Sequence, residues 1–147
     1  MAPMAARYRY ACPTVLVVDD EPSTQRMLDR LLSFHGFAPL SATGLAEATV
    51  IAEREPIDAF VVGLALGSES GLAMVTWLRR HDDYCQAPVF VLTSHLHIEE
   101  AADALIRQHG AHVFFKGQSL ELLIDRLQRL LCEPAVVASE SELVLPS

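Results

Sequence analysis

The sequence predicts an α/β fold, a doubly wound sheet of five parallel strands with helices on both faces. Short runs rich in β-branched and aromatic residues alternate five times with longer segments of helical spacing. The run Val15-Leu16-Val17-Val18 is apolar without alternation, as suits a strand buried on both faces. A length of 147 residues fits one domain able to bury a core without disulfides or a structural metal.

The strand-like runs are Thr14–Val18, Phe37–Ala42, Asp58–Val62, Val89–Thr93 and His112–Phe115. In the first helical segment Met27, Leu28, Leu31 and Leu32 recur at three-to-four-residue intervals. Pro22 opens it where a missing N–H costs nothing, and Gly36 ends it as C′ residue. The second helix is expected to start after Thr43 as N-cap and to stop near Arg54, before Pro56. Leu72, Val75 and Leu78 share one face of a third helix running to His81. Ile98, Ala101, Ala102, Leu105, Ile106 and His109 form the stripe of a fourth, stopped by Gly110. A fifth spans roughly Ser119 to Cys132 with Leu120, Leu123, Ile124, Leu127, Leu130 and Leu131, while Leu122 falls off its main stripe. Trp77 and Met74 read as core and contact residues.

Composition narrows the function. A hydrophobic fraction of 51% with 20% charged residues is that of a globular chain. A net charge of −8, without a basic cluster, argues against nucleic acid or an anionic membrane surface as partner. No apolar run is long enough to span a bilayer, and the N-terminus lacks the apolar stretch of a secretory signal. Three widely spaced cysteines, Cys12, Cys85 and Cys132, suggest reduced thiols in a cytoplasmic protein. The organisation expected is a flexible lead-in over 1–12, one domain over 13–132, and a tail or linker over 133–147. In that tail Leu143-Val144-Leu145 could add a strand.

Right-handed crossovers would bring the strand C-termini to one edge, where such sheets bind ligands. Asp19, Asp20, Gly63, Thr93, Ser94 and Lys116 all follow strand ends on that edge. This convergence defines the candidate pocket: Asp19, Asp20, Gly63, Thr93 and Lys116.

These residues resemble the receiver domain of bacterial two-component response regulators, over nearly all of Thr14 to Leu131. Val17-Val18-Asp19-Asp20-Glu21-Pro22 is similar to the family's acidic-pair segment. Pro88-Val89-Phe90-Val91-Leu92-Thr93-Ser94 is similar to its fourth strand with the switch hydroxyl. Gly110-Ala111 through Phe114-Phe115-Lys116 is similar to its fifth strand with the phosphate-binding lysine. The resemblance implies a flavodoxin-like (βα)5 receiver fold. It also implies an aspartate at the end of the third strand that accepts a phosphoryl group, an acidic pair that holds Mg2+, and a hydroxyl and lysine that engage the phosphoryl oxygens. Phosphoryl transfer of this kind is mostly positioning and charge stabilisation.

The chain departs from that pattern in three places. The family spacing puts the phosphoacceptor at Gly63, which has no side chain. Gly67 replaces the usual loop proline. Gly110 to Lys116 is one residue short, with Gly117 in place of the following proline. The shortening leaves open whether Lys116 points into the pocket, and leaves the switch aromatic ambiguous among Val113, Phe114 and Phe115.

Each candidate has an ordinary alternative. Asp19 and Asp20 could form a weak Mg2+ site, or serve as acids at the start of the helix opening at Pro22. Without a carboxylate at residue 63, Lys116 could pair directly with Asp19 or Asp20 and lock one conformation. Thr93 and Ser94 could be switch hydroxyls or strand-end hydrogen-bonding groups. His95 and His97 could join the acidic pair around a transition metal, though exposed histidines explain them more simply.

The function expected is a phosphorylation-independent receiver-like module, not an enzyme, since no nucleophile–base pair can be assembled. It would act by protein–protein interaction in a two-component or phosphorelay pathway and would require no cofactor. The partner would be a histidine kinase, a regulator, an output protein or a second copy of the chain. The face would be Ile98, Ala102, Leu105, Phe114 and Leu122 on the fourth helix, fifth strand and fifth helix. The alternative is a small-molecule or metal sensor using the vacated acidic pocket.

Overall fold

The computed structural model describes residues 12–94, 97–118 and 120–132. Five parallel strands form the sheet: β1 (Thr14–Val18), β2 (Ala38–Ala42), β3 (Ala59–Gly63), β6 (Val89–Thr93) and β7 (His112–Phe115). Their order is β2-β1-β3-β6-β7. Between β3 and the next helix lies a short antiparallel hairpin, β4 (Ala65–Leu66) with β5 (Glu69–Ser70). The helices are α1 (Pro22–Phe34), α2 (Leu45–Arg54), α3 (Gly71–Arg80), α4 (Glu100–Gln108) and α5 (Glu121–Leu131). The doubly wound architecture is as the sequence predicts. Among the described residues no helix is long and apolar enough to cross a membrane.

The period-two geometry of strands divides the core into two layers. Leu16, Val18, Phe60, Val62, Val89 and Val91 face α2, α3 and α4, where Ala48, Ala52, Met74, Val75, Leu78 and Ile106 meet them. Val15, Val17, Ala59, Val61, Phe90 and Leu92 face α1 and α5, against Leu28, Leu32, Leu123, Ile124 and Leu127. Val15 to Val18 are all 0–1% exposed, so the unbroken apolar run reflects burial on both faces. Burying one such side chain stabilises by about 1.5–3 kcal/mol.

Element ends follow local chemistry, with some corrections. Pro22 opens α1, and Gly36 follows its C-cap with φ 90°, while Phe37 N–H donates to the Leu32 carbonyl at 2.9 Å. The N-cap of α2 is Gly44, not Thr43. The Thr43 backbone N–H instead donates to Glu47 Oε1 at 2.9 Å, and Leu45 N–H donates to Glu69 Oε1 at 3.2 Å, so two carboxylates supply the cap. Ile98 precedes α4 rather than lying on it, and of the expected stripe only Ile106 is fully buried. Ser119, part of the expected fifth helix, and Leu143-Val144-Leu145 lie outside the described residues. Phe114 is buried, facing Phe90 and α5, so it leaves the expected interaction face; Val113 points to the other layer.

Candidate functional site

The C-terminal ends of β1, β3, β6 and β7 converge on one edge. Parallel register sets Val18 beside Val62, Gly63 beside Leu92 and Thr93 beside Phe115. Asp19, Gly63, Thr93 and Lys116 therefore arrive together. Backbone bonds fix the row: Asp19 N–H donates to Ala42 O at 3.0 Å, Leu64 N–H to Leu92 O at 2.7 Å, and Lys116 N–H to Thr93 O at 2.8 Å. Gln25 reaches back from α1 and donates from Nε2 to the carbonyls of Asp19 and Ala42, each at 2.7 Å.

Asp19 is fully buried and is the centre of the site. Its Oδ1 accepts from the Glu21 N–H at 2.8 Å. The Lys116 ammonium lies 3.0 Å from Oδ2 and 3.3 Å from Oδ1, and 3.2 Å from Glu21 Oε1. The shortened segment before Lys116 thus still delivers its side chain to the acidic edge. Of the two aspartates, Asp19 is the partner; Asp20 is exposed toward the hairpin turn at Gly67.

The electrostatics agree with this arrangement. Burial alone would pull the Lys116 pKa down, but hydrogen bonding and charge from Asp19, then from Glu21, outweigh it and hold the pKa above the ordinary lysine value. The Glu21 carboxyl is held below its usual value, first by the hydrogen bond from Thr24 and then by Lys116.

Gly63 explains how Asp19 fits. A Cβ at residue 63 would meet Asp19 Oδ2 at 2.9 Å and Leu66 Cδ2 at 3.2 Å. The Asp19 carboxylate and the buried Leu66 side chain occupy the space that a side chain there would need. The next constraint is Gly71, whose Cβ would overlap the Gly63 carbonyl oxygen. The first turn of α3 can sit on the end of β3 only because Gly71 lacks a side chain.

A hard divalent cation at Asp19 and Asp20 would have to compete with Lys116 for the Asp19 carboxylate. Such an ion wants several convergent oxygens, whereas Asp19 is already engaged by an ammonium and a backbone N–H. No group of three or more His, Cys, Asp or Glu among the described residues is placed to hold a metal. His97 is exposed, and His95 lies outside the described residues. Beside the ion pair lies a cleft of about 540 Å³, with Asp20, Glu21, Thr93, Ser94 and Lys116 as its polar groups over Leu64 and Leu92.

Two contributors escaped the sequence reading. Glu21 shares the ammonium, a role its place beside the acidic pair could have suggested. Glu69 caps α2 from the hairpin across 24 residues, and no local signal marks it.

A five-stranded parallel sheet with this order, five flanking helices and an acidic residue facing a lysine across the strand ends defines a receiver-type signalling module. The chain belongs to the response regulator receiver domain family, whose model matches residues 15–128. It is 31% identical over 118 residues to a putative response regulator NtrX-like protein of Rickettsia conorii, covering 76% of this chain and 24% of that protein. It is 31% identical over 128 residues to the probable transcriptional regulatory protein TcrX of Mycobacterium tuberculosis, covering 87% of this chain and 53% of that one. The chain therefore spans about a quarter to a half of these relatives. Among solved structures, chemotaxis protein CheY4 of Vibrio cholerae superposes with a TM-score of 0.74 at 25% identity, over 82% of this chain and 100% of that one. A response regulator from Burkholderia pseudomallei, solved with a phosphorylated aspartic acid, gives 0.68 at 26% identity, over 92% and 75%.

Proposed function

We propose that this chain is a receiver module that signals without aspartyl phosphorylation, by protein–protein interaction in a two-component or phosphorelay pathway. The observation that carries this reading is the pairing of Asp19 with Lys116 over Gly63. Residue 63 offers no nucleophile, and the groups that would handle a phosphoryl group are bonded to each other. The ion pair holds Asp19, Lys116 and the ends of β1 and β7 in one arrangement. Partner binding, not phosphoryl transfer, sets its state.

The face offered to a protein partner comprises Ile98, Ala102 and Leu105 at α4 with Leu122 on α5. Leu122 is 55% exposed, and the other three are half-buried. A histidine kinase, a regulator, an output protein or a second copy of the chain would use it, within the cytoplasm.

Intact mass after incubation with acetyl phosphate and Mg2+, for wild type and Gly63→Asp, tests the reading. Wild type is expected to stay unmodified; stoichiometric acyl phosphate on it would overturn the proposal. Phosphate on Gly63→Asp alone would mean that the new carboxylate displaces Asp19 and that Lys116 and Thr93 can still serve it.

The cleft beside Lys116 favours a second reading, a small-molecule sensor. Its polar groups above an apolar floor, and its volume of about 540 Å³, fall in the range of small-ligand sites. A rise in melting temperature with nucleotides or organic cations would support it, and no rise across such a panel would remove it.

A further inference from the structure

The opposite edge of the sheet carries a second cleft, of about 460 Å³, at the C-terminal ends of α3 and α4 and the start of β7. Its polar lining is Arg79, Cys85, Gln86, Gln108, His109 and His112, with Pro88 and Leu130 as apolar wall. No aspartate or glutamate lines it, although the chain carries a net charge of −8 and Asp82 and Asp83 stand in the adjoining loop.

Arg79 is oriented there by the backbone. Its Nε donates to His109 O at 2.7 Å, and Nη1 donates to Tyr84 O at 3.1 Å and Ala87 O at 2.7 Å. Three carbonyls thus fix the guanidinium plane. Nη2 spends no hydrogen bond on any described residue. Burial depresses the Arg79 pKa without threatening its charge.

His112 is half-buried at the cleft floor and stacks on Phe90, with ring centroids 5.1 Å apart. Arg126 of α5 lies close enough, with Arg79, to oppose protonation of His112, after burial as the larger cause. Positive potential therefore reaches the cleft from two helices.

We propose that this cleft binds a small organic carboxylate, with the carboxylate on Arg79 Nη2, further hydrogen bonds from the Gln108 and His109 side chains, and the organic part against Pro88 and Leu130. A partly desolvated guanidinium with its Nη2 donors unspent favours an anionic oxygen, because hydrogen bonds from it are charge-assisted, and the apolar wall favours an anion with an organic part. The partner face and the Asp19–Lys116 edge are separate from this site, so it stands or falls independently of them.

The test is titration of the full chain with succinate and with benzoate, followed by amide and histidine-ring NMR against sodium chloride of equal ionic strength. Saturable shifts are expected at Gln86, Gln108, Gly110 and His112. Gln108→Glu, at an exposed position, places a like charge at the rim and is expected to weaken binding about tenfold or more. Arg79→Lys keeps the charge, loses the Nη2 donors and the carbonyl bonds that place them, and is expected to weaken binding as well. Should Arg79→Lys fail to fold, the Gln108→Glu comparison still decides. Shifts no larger than those from sodium chloride, or equal affinity in Gln108→Glu, overturn the proposal.

Discussion

Asp19 stands over Gly63: the carboxylate of the one fills the place where a side chain on the other would begin, 2.9 Å from a Cβ on residue 63. The absent side chain and the ion pair are thus one feature. Glycine removes the steric conflict, and Lys116 supplies a counter-charge 3.0 Å from the fully buried carboxylate.

Gly63→Ala tests the steric half of this statement. The added methyl has no empty space, since Asp19 and Leu66 both stand within 3.2 Å of it. A loss of about 1–3 kcal/mol is expected in urea unfolding, typical of overpacking at a filled site. An unchanged midpoint would show that Asp19 moves aside freely.

Lys116→Met tests the charge half. It leaves Asp19 buried without its ammonium, and a loss of about 2–4 kcal/mol is expected, below the full cost for a buried pair because Lys116 is 21% exposed. Adding Asp19→Asn to Lys116→Met is expected to recover much of that loss. Strict additivity of the two substitutions would contradict the pairing.

Gly71→Ala is expected to be the most damaging small substitution in the site, at about 3 kcal/mol or more. Its methyl would overlap the Gly63 carbonyl, which the sheet holds in place. Calorimetry should show a lower melting temperature with no change in the unfolded baseline.

The pH dependence follows from signs alone. His112 has a folded pKa below its ordinary 6.5, so the unfolded chain takes up the proton first and stability falls as pH drops below that value. His112→Gln is expected to flatten this slope. Glu21 behaves similarly at lower pH, its contribution present above its ordinary 4.5 and lost as pH falls through its depressed folded pKa. Lys116 has the opposite sign: its contribution is complete below its ordinary 10.5 and is lost only as pH rises through its elevated folded value. Unfolding midpoints measured across this range would check all three.

Much of this was legible in the chain. Strands and helices betrayed themselves by period, and the shared edge followed from topology, so Asp19, Gly63, Thr93 and Lys116 could be grouped without coordinates. The pairing of Lys116 with an aspartate was legible as one option, but its choice of Asp19 depends on how β7 and the turn after β1 aim their side chains. Phe114 was misplaced because the segment before Lys116 is one residue short, and in a strand a shift of one residue exchanges the two faces. The cap of α2 was misplaced by one residue because its partner, Glu69, comes from a distant hairpin, and sequence windows see only neighbours.

That cap has a mechanical consequence. The hairpin carrying Glu69 grows directly from the end of β3, so whatever displaces Leu66 or Asp19 also tugs at the first amides of α2. Amide exchange at Leu45 would then report on events at residue 63, and the α2 terminus would serve as a remote gauge of the site.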